Sequence, residues 1–187
     1  MVANVQSFSS DKSITLSGSS GLVINSKGSV SIGSSNGGTV LTTTNRGDVS
    51  ITNQGSLAIN GNFNLDGSFT QLGTGSVTLG NISQPATLLN FNTNSRPITF
   101  SSEVKLVQDS QINANSLGLV GLGGSITFKS NVVGSRNVQL TAGVGDISFQ
   151  GSVGINSLGN SDPVLAILVT NTNRVNVSGN VVADSFT

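Results

Sequence analysis

The 187 residues contain no cysteine, no histidine, no tryptophan and no tyrosine. Without Cys or His there is no thiol nucleophile and no Ser–His or Cys–His dyad, and nearly every zinc, copper or haem site is excluded. Charge is scarce too. Eight Lys/Arg balance eight Asp/Glu, and charged residues make up 9% of the chain, against roughly 25% in ordinary globular domains. A neutral chain with scattered Lys and Arg lacks the basic patch on which nucleic-acid binding depends. The longest apolar run is Val164-Leu165-Ala166-Ile167-Leu168-Val169, far short of the roughly 20 residues that span a bilayer as a helix.

What is present is polar and small. Ser, Thr, Asn and Gly fill 94 of the 187 positions. Disorder is not the reading, because disordered chains combine low hydrophobicity with high charge. Here 35% of residues are apolar and mean hydropathy is slightly positive.

The apolar residues are ordered into apolar–polar–apolar triplets, usually preceded by Gly. Ile14-Thr15-Leu16, Val30-Ser31-Ile32, Leu57-Ala58-Ile59, Val77-Thr78-Leu79, Ile98-Thr99-Phe100, Val104-Lys105-Leu106 and Val138-Gln139-Leu140 are examples. Period-two alternation puts the outer pair on one face and the middle residue on the other, the pattern of short half-buried strands. Gly, Asn, Ser and Asp between them supply the turns, so each strand is expected to end within about five residues.

Gly28-Ser29-Val30-Ser31-Ile32 returns nineteen residues later as Gly47-Asp48-Val49-Ser50-Ile51. Gly55–Ile59 returns as Gly75–Leu79, and Gly124–Phe128 as Gly145–Phe149. A period near twenty predicts a solenoid: an all-β parallel β-helix of about 19–21 residues per coil, with some longer coils. The whole chain, 1–187, reads as one such segment, with its best repeats at 28–82 and 124–182. Low charge fits, because like charges stacked at the roughly 4.8 Å strand spacing repel. The stretches Phe100–Ile126 and Phe149–Val175 exceed the period. They predict insertions on one edge of the rod, Gly154–Pro163 being the clearest. No polar cap closes the last repeat, and Met1–Phe8 has neither the basic nor the apolar region of a signal peptide. A segment of a longer repeat protein, or a chain capped by partners, is the expectation.

Gly124–Phe128, Asn137–Gly143 and Gly145–Gly154, with looser copies at Ile98–Phe100 and Val175–Gly179, resemble the β-strand repeats of large bacterial surface adhesins. These are the filamentous-haemagglutinin-type secreted exoproteins, of cyanobacterial and environmental type. The resemblance implies a right-handed coil, secretion to the cell surface, and a structural or adhesive shaft. The partners it implies are neighbouring coils of a parent chain or sister subunits, surface glycans, and receptors on host or other cells. No cofactor, metal, nucleic acid or membrane span is expected. Two other functions remain in play: a self-assembling extracellular filament joined by β-strand addition, and a polysaccharide-active β-helix enzyme.

Arg46-Gly47-Asp48 is a candidate cell-attachment triplet, though Gly47-Asp48 also occupies the turn slot that Gly145-Asp146 fills without an arginine. Glu103 and Asp109 could serve as a carboxylate pair for glycosidic chemistry. Alternation, however, puts Glu103 beside Lys105 on an outer face as an ordinary exposed pair, and no enzyme is expected. The glycine-rich run Ser116–Gly124 lacks the Lys and Ser/Thr of a phosphate loop. Dispersed acids give little support to calcium. An ice-binding threonine array is weighed and set aside, because the middle residues of the triplets vary. The sequons at Asn81 and Asn176 are read as chance.

Overall fold

The computed structural model describes residues 1–33, 38–84, 86–115 and 121–187, and among them there is no helix. The chain winds through eight coils. The first holds β1 (Val2–Val5), β2 (Phe8–Ser10) and β3 (Ile14–Leu16), and the second β4 (Leu22–Ser26), β5 (Val30–Ile32) and β6 (Thr39–Thr43). The third holds β7 (Val49–Asn53), β8 (Leu57–Ile59) and β9 (Asn62–Leu65), and the fourth β10 (Phe69–Gly73), β11 (Val77–Leu79) and β12 (Leu89–Thr93). The fifth holds β13 (Ile98–Phe100), β14 (Val104–Leu106) and β15 (Ser110–Asn113), and the sixth β16 (Ile126–Phe128), β17 (Val132–Val133) and β18 (Asn137–Thr141). The seventh has β19 (Asp146–Phe149) and β20 (Val164–Asn171), and the eighth β21 (Arg174–Val177) and β22 (Ala183–Phe186). In those last two coils single parallel bridges, Val132 to Val153 and Val153 to Val181, continue the missing middle strand.

Equivalent strands stack as three parallel sheets of eight, six and eight strands. The expected parallel β-helix is therefore what forms. Seven steps of strand spacing make a rod about 34 Å long.

Register corrects the coil length. Val49 faces Phe69, twenty residues on, and Ile126 faces Ile147, twenty-one on. Leu22 faces Val49 at twenty-seven, Phe69 faces Ile98 at twenty-nine, and Ile98 faces Ile126 at twenty-eight. The match between Gly28–Ile32 and Gly47–Ile51 joins unlike positions, because Val30 lies in the second sheet and pairs with Leu57, while Val49 lies in the first. All three sheets demand the same alternation, so similar triplets arise on different faces.

Inward residues fill one continuous core. Leu22, Ile51, Leu57, Phe63, Phe69, Ile112, Phe128 and Leu140 are all fully or almost fully buried. Phe100, Phe128 and Phe149 stack in register, with ring centroids 5.5 and 5.1 Å apart and planes within 8° and 7° of parallel. Phe63, Phe69 and Phe91 pack beside this column, Phe69 and Phe91 meeting edge-on at 4.8 Å. Such ring pairs add about 0.5–1.5 kcal/mol each beyond the area they bury.

Outward residues sort by sheet. On the first sheet Ser50, Thr70, Thr99, Thr127 and Ser148 form one row, a hydroxyl in each of five successive coils. The variation seen among middle residues comes largely from the other two sheets. On the third sheet Asn92 Nδ2 donates to Asn64 Oδ1 at 3.0 Å, and the Thr141 and Thr170 hydroxyls meet at 2.6 Å. These are the polar ladders that in-register stacking permits.

The long segments do not share one edge. Gly154–Pro163 leaves the second sheet toward the third, whereas the glycine-rich run lies between the third sheet and the first, with 116–120 outside the described residues. The 154–163 segment is a small hairpin. Ile155 and Ser161 form an antiparallel bridge, and Asn156 Oδ1 accepts from Leu158 N and Asn160 N, both at 3.0 Å. It folds back two coils, where Ser157 N donates to Glu103 Oε2 at 2.7 Å. Val133, which points outward in register with Lys105, is nonetheless buried. One long strand also departs from expectation: β20 runs for eight residues, with a register shift opposite Leu140/Thr141.

Candidate functional site

The corner between the third sheet and the first carries a column of polar residues from successive coils. Thr44–Asp48 links β6 to β7, Asp66–Ser68 links β9 to β10, and Asn94–Pro97 links β12 to β13. The three non-glycine residues with left-handed backbone among the described positions, Asn45 (φ 53°), Arg46 (φ 62°) and Ser95 (φ 56°), all lie here. Local strain of this kind tends to collect at functional surfaces.

Asp66 sits in the middle coil and ties the column together. Its Oδ2 accepts from Arg46 N at 2.8 Å, and its Oδ1 from Asn94 Nδ2 at 2.5 Å. The Asn94 amide, then the Arg46 backbone N–H, hold its carboxyl below the usual carboxylate range. Arg46 and Arg96 add a smaller attraction, and desolvation opposes all of these. A depressed pKa stabilises the folded state above the unfolded value, and the benefit disappears as pH falls through the folded one. The melting-temperature advantage of the native protein over Asp66→Asn should therefore be full near neutral pH and shrink below about pH 4. An advantage that stays constant down to that range would show that Asp66 is not held this way.

Two hollows open beside this column, of about 300 and 360 Å³. Asp66, Asn94, Ser95 and Leu122 line the first, and Asp48, Ser68 and Pro97 the second, while Arg46 and Arg96 line both. The two arginines belong to corners two coils apart, about 10 Å along the axis by strand spacing. Neither guanidinium has a hydrogen-bond or ion-pair partner among the described residues, where Lys12–Asp11 is the one ion pair. Asn94, having given its Nδ2 to Asp66, leaves Oδ1 buried with no donor. The corner can thus offer two forked cationic donors and one unfilled acceptor.

The Arg46-Gly47-Asp48 triplet lies inside this column. Asp48 Oδ1 accepts from Ser68 N at 2.7 Å and Ser68 Oγ at 2.8 Å, and Gly47 is buried. The triplet is therefore part of a coil corner and not the tip of a projecting loop. Glu103 and Asp109 do not act on a common neighbour. Glu103 holds the hairpin through Ser157, and Asp109 takes Asn137 N at 3.0 Å and Asn137 Nδ2 at 2.9 Å. The expected Glu103–Lys105 pair is not among the ion pairs of the described residues, and Glu103 Oε2 instead accepts from the hairpin. Arg96, Asp66 and Asn94 were not among the candidates from sequence, and nothing in their local sequence marks them.

Protein-family models, curated proteins and solved structures were all compared with this chain, and none matches it.

Proposed function

We propose that the chain is a shaft segment of a secreted bacterial surface adhesin of filamentous-haemagglutinin type, which spaces and presents adhesive contacts. The supporting observation is the parallel stack of eight coils around one core, in register apart from local bulges. Each added coil stacks its strands on those of the coil before it, so adding coils lengthens the rod along one axis. Adhesive contact falls to the outward polar rows and corners.

Beads coated with the purified chain provide the test. They should attach to cells or polysaccharide-coated surfaces above beads coated with an inert protein. Equal retention on every surface would reject the adhesive role. In the same assay an Asp48→Glu variant tests the triplet: attachment through it should fall, and unchanged attachment would reject it.

The filament reading draws on a different observation. In the last coil Val177, Val181, Val182 and Phe186 are each 37–43% exposed, and strand addition by a sister chain is one way to cover such apolar residues. Solution mass that rises with concentration would favour it.

A further inference from the structure

We infer that the notch between Arg46 and Arg96 binds a uronate-type saccharide, one that alternates single carboxylates with hydroxyls. The inference rests on the adhesive reading and names the chemistry of its contact.

Four observations converge. Arg46 and Arg96 line the same two hollows, and neither guanidinium has a hydrogen-bond or ion-pair partner among the described residues. Each open fork is shaped to take a carboxylate through two parallel N–H bonds. Asn94 Oδ1 is a buried acceptor without a donor, and a sugar hydroxyl supplies one. The backbone at Asn45, Arg46 and Ser95 is held in the left-handed region, which fixes the corners from which both arginines extend. Finally, the notch is charge-balanced, with Asp48 and Asp66 beside the two arginines.

That balance selects the ligand. A densely sulfated chain would place several negative charges against Asp48 and Asp66 as well as against the arginines. Asp66 cannot turn away, because both its oxygens are engaged by Arg46 N and Asn94 Nδ2. A neutral sugar would leave the guanidiniums unpaired. A ligand with about one carboxylate per sugar, spaced by hydroxyls, meets the forks and the acceptor with least conflict. The roughly 10 Å between the two corners is a span for successive sugars and not for one small anion.

Calorimetric titration of the full chain with tetragalacturonate, its methyl ester and a sulfated oligosaccharide of equal length tests this. The native protein should bind the uronate, and the ester should bind at least about tenfold more weakly, the loss expected when a charged hydrogen bond is removed. Arg46→Gln and Arg96→Gln should each lower affinity for the uronate about tenfold. Lys129→Gln, in the bend between β16 and β17 and away from the notch, should leave it unchanged. Circular dichroism establishes that each variant keeps its fold. Equal binding of ester and acid, unchanged affinity in the double arginine variant, or tighter binding of the sulfated chain would each overturn the assignment. If beads attach to cells while the uronate fails to bind, the adhesive reading stands and this one falls.

Discussion

Replacing Phe100 with alanine should lower the stability of the protein by about 4 kcal/mol, within the range for buried Phe→Ala substitutions. Phe100 is fully buried and touches rings on both sides along the axis and across the core: Phe128 at 5.5 Å, Phe69 at 5.3 Å and Phe91 at 5.9 Å. The cavity cannot collapse easily, because strand ladders pin the coils above and below at fixed spacing. With no tryptophan or tyrosine to report, far-UV circular dichroism in denaturant is the suitable measurement. In a quasi-one-dimensional fold the loss falls on the interfaces of the fourth to sixth coils. A shift below about 1 kcal/mol would mean that the aromatic column does not hold these coils together.

The second large effect has a sign that inspection of the core row would miss. Gln71 lies inward between Ile51 and Phe100 in the first sheet, a place where leucine looks like an improvement. The side chain is fully buried, yet its hydrogen bonds are made. Oε1 accepts from Ser101 N at 2.9 Å and Ser102 N at 3.2 Å, while Nε2 donates to Asn53 Oδ1 at 2.9 Å and Leu72 O at 3.0 Å. Gln71 thus satisfies the chain where it turns from the first sheet to the second. Gln71→Leu would orphan two backbone N–H groups at about 1–3 kcal/mol each, so a net loss of about 3 kcal/mol is expected despite the added apolar side chain. Asn53 depends on the same network: its Nδ2 donates to Gly55 O at 2.6 Å and Gly75 O at 3.1 Å. A neutral or stabilising Gln71→Leu in denaturant titration would show that water can replace the amide.

Both cases bear on what the sequence makes legible. Triplets such as Ile98-Thr99-Phe100 and Val104-Lys105-Leu106 become β13 and β14 because period-two burial depends only on neighbours along the chain. The parallel stack follows from their repetition. Which of three faces a triplet occupies is set by the corners, and these vary from the two residues between β8 and β9 to the hairpin at 154–163. Identical local patterns therefore fell on different sheets. One signal was available: Val132-Val133 breaks the alternation with two adjacent apolar residues. The break marks a residue buried on the outer side. Arg46 stood out only as part of the triplet with Gly47 and Asp48, and Arg96 carried no mark at all. Fifty residues separate them, and a coil of twenty residues followed by one of twenty-nine brings their corners into one column.

Unequal coils with equal rise have a mechanical consequence. Along the axis each coil adds one strand spacing, about 4.8 Å, whether it holds twenty residues or twenty-nine. Pulled out under load, the same coils release about 70 to 100 Å of extended chain. Peeling from one end, the rod would yield in a sequence of long and short steps written by its corners. A folded length that counts coils thus stores a hidden length that counts residues. A tether of this kind can stay stiff at rest and still give way gradually, one coil at a time.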